Sequence, residues 1–533
     1  MIDYLKKKPR YIYIAGILLL IPALLLNLGR LNIFMAVDEA TRALVALEMM
    51  ISDNFVTPTI NGEFYYNKPP LFNWILAGLY SVFGISEFVL RLPTVISLLG
   101  FGFTVYYFVK QELGTKAGII TAFMLVTAGR LLFWESLLGY IDTTFSWVVY
   151  SGIMFIHYFF RQKKYLQLFL VSYFFMAIGF MLKGLPAIVF QGITLLVIFI
   201  SEGEFRKLFT WKHFVGGLAF LFPVGIYYLI YHQYNSLENV FNALWHESAQ
   251  RTVVDQGWVL TFSHLVEFPF EMLYHYLPWT LLLIFTFRKG FWKVVFQNKF
   301  IKFNLLVGFF NIIPYWTSPD VYPKYIMMLV PMFYTLLVYF YLESAKRESG
   351  LVRVVHFIFI AAAALLTVAY PVIPFLEAFR DIPMAFIIGV ILFVLSAFVL
   401  FLMIRLKDNR LVLFAIVLII GRIAFDWFVW PQRAAQYEQF EQAAYEIASI
   451  TGDEKIEYYN APMLQYGGSY YLTLAKWQII GQEQGEPETG QFYIVDDSGL
   501  SEIRKEHNEV EVYYSYPNVE DGRTLYLIKI TAS

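Results

Sequence analysis

Cysteine is missing from all 533 residues, so no disulfide can staple any part of the chain and thiolate chemistry is excluded. Charge is scarce as well. Asp, Glu, Lys and Arg together make up 15% of the residues and nearly cancel, leaving a formal net charge of −1. That balance points to no particular partner, and no nucleic acid is expected. The chain also lacks an internal repeat, a low-complexity segment and a Gly-rich phosphate loop.

What is present is apolar. Hydrophobic residues are 58% of the chain and aromatic residues 19%, too much for a soluble protein of this length to bury. They fall in blocks of roughly 17–24 residues, long enough to cross a bilayer as helices and unlike the short alternating segments of a β-barrel. The expected fold class is an all-α polytopic membrane protein. About thirteen spans are read: residues 12–28, 89–110, 116–134, 140–160, 165–182, 184–200, 213–232, 270–287, 302–318, 324–343, 352–374, 383–406 and 410–430. Every second connection is basic, among them Lys6, Lys7, Lys8 and Arg10; Arg161, Lys163 and Lys164; Arg288, Lys289 and Lys293; Arg405, Lys407 and Arg410. By the positive-inside rule these connections are cytoplasmic. The N-terminus is then inside, the first span is an uncleaved anchor, and an odd number of spans leaves the C-terminus outside. The implied location is the inner (cytoplasmic) membrane.

After residue 433 the composition changes. "YEQFEQAAYEIASI" has helical spacing, while "EKIEYYN", "GQFYIVDDS", "EVEVYYSYP" and "RTLYLIKI" read as strands. Residues 1–433 are taken as the membrane domain, with interfacial helices in an outer loop at 30–88. Residues 434–533 are taken as a small extracytoplasmic α/β domain.

Charges beside the apolar blocks collect on the outer side: Asp38, Glu39, Arg42, Lys68, Arg91, Glu135, Asp142, Lys183, His246, Glu247, Arg251, Asp320 and Lys324. A charge in or next to a membrane is costly, so one-sided clustering marks a candidate site. Asp38 and Glu39 open an amphipathic run; they suit a helix start, and a carboxylate there can also take a proton from an acceptor hydroxyl. In "NGEFYYNKPPLFNW" the two prolines push Lys68 out of helical conformation and fix the chain around it, behind Tyr65 and Tyr66. An ammonium held at the membrane surface suits a phosphate, with a snorkelling lysine as the plainer reading. Asp142 has no partner among its sequence neighbours. Lys324 and Tyr325 begin a later span. Glu247 and Arg251 are spaced for an intrahelical ion pair. His246 beside Glu247 offers two metal ligands, fewer than the three or four a zinc site needs; the metal question stays open, with no cofactor required and room for a divalent ion.

At these residues the sequence resembles a known family. "VDEATRALVALEMM", "FVTPTINGEFYYNKPPLFNWILAGLYSVFG" and "RLP", followed in order by "LGYID", "WHESAQR", "YHYLPWTLLL" and "YPKYIMMLVP", are similar to the GT-C membrane glycosyltransferases. The nearest group is the bacterial aminoarabinose transferases and their protein O-mannosyltransferase-like relatives, and the likeness covers roughly residues 30–345. It implies a multispan helical bundle with interfacial helices and a C-terminal soluble domain, using polyprenyl-phosphate sugars on the outer face. It also implies roles: Asp38 as the first-loop acid, Asp142 as the second acid, and Lys68 as the lysine facing the donor phosphate. Two departures stand out. Thr41 occupies the family's arginine position with Arg42 one residue later, and Asn67 replaces an acid that can serve as a metal ligand.

The reading is a membrane glycosyltransferase that moves a hexose or pentose, with inversion, from a polyprenyl phosphate to a lipid, glycan or protein acceptor. Asp38, Glu39 and Asp142 are the candidate catalytic acids. Lys68, Lys324, Arg42 and Arg251 are candidates for the donor phosphate. Tyr65, Tyr66, His246, Glu247 and Tyr325 are candidates for substrate contact. Membrane lipids are further partners. The alternative is a transporter or flippase of lipid-linked sugars, which would place charges near the midplane of broken helices.

Overall fold

The computed structural model describes residues 1–30, 33, 37–249, 257–435, 437–459, 466–483, 485–507, 509–518 and 522–531. The chain is helical through its membrane part and ends in a small sheet. Among the described residues seven helices are long and apolar enough to cross a membrane, or eight if Thr115–Val126 and Gly129–Leu137, bent by 45°, form one span. That is fewer than the thirteen stretches read from the sequence. Some of the helices that occupy those stretches are short: Arg10–Leu25 and Pro186–Ser201 have 16 residues each, against the roughly 20 that a bilayer asks for.

One stretch differs in kind. A single span was expected at 270–287, but a helix covers Trp258–His275, the chain breaks at Tyr276–Pro278, and a tight 3₁₀ segment follows at Trp279–Thr286. Pro278 has no N–H to give and disfavours helical conformation at Leu277, so the apolar run cannot continue as one rod.

The chain divides into two compact units. The first comprises Met1–Asn27, Thr94–Ile226 and Leu244–Val429. Within it Tyr165–Lys183 packs along Ile141–Arg161, and Arg10–Leu25 along Arg410–Phe428. The latter approach depends on Gly16: a Cβ there would stand 2.9 Å from the Phe123 ring and 3.2 Å from Ile416. An arginine is buried in this unit without exposure to water. Arg422 Nε donates to both carboxylate oxygens of Asp426, at 2.8 and 2.9 Å, and its Nη1 donates to Ser136 Oγ at 2.7 Å and to the Leu132 carbonyl. The pair is neutral and mostly hydrogen-bonded, which is the condition for keeping a charge there.

The second unit comprises Leu28–Pro93, Tyr227–Ala243 and Trp430–Ser533. Its sheet has the order β4-β3-β5-β7-β6. Strands β3 (Ile456–Tyr459) and β5 (Phe492–Asp496) are parallel and buried on both faces, so their sequences are continuously apolar apart from Glu457 and Asp496. β6 (Val510–Pro517) and β7 (Thr524–Ile530) extend the sheet antiparallel. The expected helix appears at Glu438–Thr451. Strand β4 (Gly481–Glu483) was not anticipated, because three residues of "GQE" carry no alternation.

Helix Tyr466–Lys476 of this unit lies on helix Val37–Ser52 of the 30–88 loop. Tyr471 ties the two regions, accepting from the Ile33 N–H at 3.2 Å and donating to Glu87 at 2.6 Å. The loop itself folds as helix Val37–Ser52, a two-residue hairpin of β1 (Thr59–Ile60) and β2 (Glu63–Phe64), and helix Leu71–Phe83. Asn61 and Gly62 make the hairpin turn, both with positive φ (50° and 76°), as an Asn-Gly turn of this type requires.

Candidate active site

The second unit builds the setting of Lys68. Helix Val37–Ser52 carries Asp38, which is exposed, and Glu39, which is not. Successive residues on a helix point about 100° apart, so the two acids serve different neighbours. Glu39 is fully buried: its Oε1 accepts from Arg91 Nε at 2.7 Å and its Oε2 from Arg91 Nη2 at 3.0 Å, while Arg91 Nη1 donates to the Leu28 carbonyl at 2.7 Å. This corrects the expectation of a catalytic Glu39, since both carboxylate oxygens are engaged in a bidentate pair that fastens the helix start.

Arg42 lies one turn along from Asp38. Its displacement by one residue from the family position still leaves it on that side of the helix, about 40° off a full turn. It is buried, its guanidinium hydrogen-bonds the Tyr65 hydroxyl, and it sits 5.0 Å from the centre of that ring. Among the described residues its Nη1 has no hydrogen-bond partner. Tyr65 packs with Val45 and Met49, against Ile60 and Trp74.

Around Lys68 the backbone is pinned on both sides. The Tyr65 N–H donates to the Pro58 carbonyl at 2.8 Å. Pro69 and Pro70 are buried, and helix Leu71–Phe83 starts directly after them. Asn73 donates to the Arg42 carbonyl at 3.1 Å and Trp74 Nε1 to the Phe55 carbonyl at 2.7 Å. Glu48 braces the hairpin turn, accepting from Thr59 Oγ1 at 2.6 Å and from the N–H groups of Asn61 at 2.6 Å and Gly62 at 3.3 Å. Burial pushes its carboxyl above the usual range despite those donors. Lys68, half-buried, is thus carried by a segment whose ends cannot shift freely. Tyr66 accepts from Asn235 at 3.1 Å.

The first unit builds a second charged cluster. Asp142 stands in the first turn of helix Ile141–Arg161. Lys183 is the last residue of Tyr165–Lys183, which Gly184 ends with a φ of 81°. Lys324 lies in the tight turn Pro323–Leu329, held where Tyr276 donates to the Pro323 carbonyl at 2.7 Å. Lys183 is ion-paired and hydrogen-bonded with Asp142 Oδ1, and Lys324 Nζ is 3.9 Å from Oδ2. The three side chains are 4% (Asp142), 11% (Lys183) and 9% (Lys324) exposed, so the cluster is nearly dry. Aromatic faces complete it: Lys183 is 4.3 Å from the Tyr325 ring centre and Lys324 4.4 Å from that of Tyr140. Glu135 is buried beside Arg130, 2.6 Å away, as a neutral pair. Two ammonium groups are thus gathered at one carboxylate in a nearly dry, aromatic-walled cluster.

Sequence reasoning placed Lys183 among the outer charges without a role. Arg91, Glu48, Arg130 and Tyr140 were also given none, since their partners come from elsewhere in the chain. His246 is exposed on helix Leu237–Ala249; Glu247 lies in the same helix, and Arg251 falls outside the described residues, so the suggested Glu247–Arg251 pair does too. Among the described residues no three metal-type side chains converge, and Asn67 is exposed.

Residues 67–228 match the family model described as dolichyl-phosphate-mannose-protein mannosyltransferase. An uncharacterized protein of Aquifex aeolicus is 24% identical over 59% of this chain and 61% of its own length. An undecaprenyl phosphate-alpha-4-amino-4-deoxy-L-arabinose arabinosyl transferase of Proteus mirabilis is 27% identical over 32% of each. The chain thus spans less than two thirds of the length of either relative. Among solved structures, the crystal structure of ArnT from Cupriavidus metallidurans bound to undecaprenyl phosphate superposes with a TM-score of 0.70 at 17% identity, over 98% of this chain and 99% of that one. The GT-C fold and the family resemblance read from the first outer loop are borne out, and the chain is an integral membrane protein.

Proposed function

We propose that this polytopic membrane protein of the GT-C fold transfers a sugar from a polyprenyl phosphate to an acceptor on the extracytoplasmic face of the membrane. The observation that carries the reading is the buried cluster of Asp142, Lys183 and Lys324, which brings two ammonium groups together between aromatic walls. A sugar phosphate ester is an anion that clustered lysine ammonium groups suit. The relatives named for undecaprenyl-phosphate and dolichyl-phosphate sugars support that donor class.

Roles follow residue by residue. The acceptor hydroxyl attacks the anomeric carbon from the face opposite the phosphate. The C–O bond to the phosphate breaks as the new glycosidic bond forms, so the centre inverts. The polyprenyl phosphate leaves with the bonding electrons. Asp38, exposed on its helix, takes the acceptor proton. Lys68, on its proline-fixed segment, and Lys324 and Lys183 neutralise the charge that grows on the leaving phosphate. Asp142 keeps the two lysines together before the donor arrives. Arg42 holds Tyr65 beneath the Lys68 segment. Tyr66, Tyr325 and His246 are assigned to substrate contact, and the sugar is a pentose or a hexose. The acceptor is a lipid, glycan or protein. No step here runs through a metal. The comparisons lend no support to a transporter.

The test is turnover by purified protein given a panel of radiolabelled polyprenyl-phosphate sugars with membrane extract as acceptor source. Release of polyprenyl phosphate is expected from the wild type and not from Lys68→Ala or Asp38→Asn at matched folding. Undiminished release by both variants would remove these roles, and no release from any donor would remove the function.

A further inference from the structure

The first unit carries a second feature that the proposed reaction does not use. A groove of 920 Å³ runs between helix Arg10–Leu25, the 99–106 stretch of helix Glu87–Leu113, and helix Thr115–Val126. Its walls are apolar along most of their length. Ile14, Ile17, Ile21 and Phe103 line it and are 40–65% exposed, so its side is open to whatever surrounds the helix. One end is different: Lys7, Lys8 and Arg10 line it there, with Tyr13 and Thr115 beside them, and among the described residues no acid lines the groove.

Those three cations are not spoken for by carboxylates. Among the described residues the only ion pair in this segment is Lys6 with Asp3, at 3.9 Å. Arg10 reaches only the Tyr11 hydroxyl, at 3.4 Å, and Lys8 sits 5.2 Å from the Tyr4 ring centre. Another cavity in the same unit, 310 Å³ and lined by His157, Arg161, Lys299 and Lys302, gives a contrast. There Lys302 is paired with Glu202 at 2.8 Å and Arg161 with Glu112, so much of its positive charge is already matched. A long apolar trough with unmatched cations at one end has the shape of an amphiphile with an anionic head.

We propose that this groove binds an anionic phospholipid of the bilayer, its phosphate held by Lys7, Lys8 and Arg10 and its acyl chains lying along Ile14, Ile17, Ile21 and Phe103. The volume is at the upper end of that of ligand pockets, enough for chains as well as a head. Basic residues beside a membrane helix attract anionic lipid, and an apolar trough adjoining them converts that diffuse attraction into a site. The same residues were read as cytoplasmic by the positive-inside rule, so the lipid belongs to that leaflet.

The experiment uses the full chain, delipidated in neutral detergent and supplied with phosphatidylglycerol or phosphatidylcholine of identical chains. Bound lipid is counted by mass spectrometry of the intact complex. The wild type is expected to retain phosphatidylglycerol at least about tenfold better than phosphatidylcholine. The triple variant Lys7→Gln, Lys8→Gln, Arg10→Gln should erase the preference, and Ile17→Trp, which fills the trough with the cations intact, should lower retention of both lipids. Inorganic phosphate at millimolar excess should not displace the lipid, because it offers nothing to the apolar wall. If the triple variant does not fold, Lys8→Gln alone should still reduce the preference measurably. Equal retention of the two lipids by wild type would overturn the proposal. So would a preference that survives removal of the cations, or retention that Ile17→Trp leaves untouched.

Discussion

Two buried charge arrangements, one in each unit, contrast in how they are matched. Around Arg91 the guanidinium meets both oxygens of Glu39 and a backbone carbonyl, and neither side chain has any exposure. Around Asp142 one carboxylate is shared by two ammonium groups, one of them 3.9 Å away. The first arrangement is closed, with charge cancelled and strong geometry. The second gathers two ammonium groups at one carboxylate, one of them on a loose arm. A closed pair holds a helix in place; a loosely held ammonium in a nearly dry site can turn to an anionic ligand. The pair of Arg422 and Asp426 is of the first kind, even though it lies in an apolar helix where a functional charge would first be sought.

The most severe way to break the comparison is Arg91→Ala. It takes the bidentate partner from the buried Glu39, and removal of one partner of such a pair costs about 3–5 kcal/mol. The expected result is loss of folded protein, or a large fall in melting temperature in a detergent thermal-shift assay. A variant that melts like wild type would show that Glu39 is not held as described. The same operation on the other arrangement should behave differently. Lys324→Ala leaves Asp142 paired with Lys183, so the melting temperature should change little. Turnover should fall by roughly 10²–10³-fold, the usual effect of removing one donor from a developing anion. If Lys324→Ala instead loses stability and keeps its rate per folded molecule, Lys324 is structural and the comparison fails.

How far the sequence could be read follows the same division. Lys68 was legible because two prolines and two tyrosines beside it speak for themselves, and Asp142 because an acid in an apolar block demands a reason. The partners were not legible. Lys183 is 41 residues from Asp142, and Arg91 is 52 from Glu39; nothing local in either segment says that they meet. Asp38 and Glu39 looked equivalent as neighbours, yet helical rotation sends one to the surface and the other into the core. Apolar blocks announced most helices. They did not announce the break at Pro278, where composition stays apolar while one residue stops the rod. After residue 433 the long strands and one helix were readable, whereas β4 depends on its parallel pairing with β3.

The mildest prediction sharpens the contrast by taking a carboxylate between the two cases. Glu48 is buried and accepts hydrogen bonds from a hydroxyl and two backbone N–H groups, but among the described residues no cation is ion-paired with it. Burial raises its pKa above the value it has in the unfolded chain. The folded state therefore binds a proton more tightly than the unfolded state. Its contribution to stability is greatest below the unfolded carboxylate pKa, about 4.3, and declines as pH rises from there through the raised folded value. Above that value the penalty is constant. Glu48→Gln removes the titration while keeping one acceptor for the turn, so the slope of stability against pH should flatten over that window. Thermal melting of wild type and variant at a series of pH values from 4 upward is the check. Parallel curves for the two proteins would mean that the turn donors fully offset burial, and this carboxylate would then belong with Glu39 as a closed case.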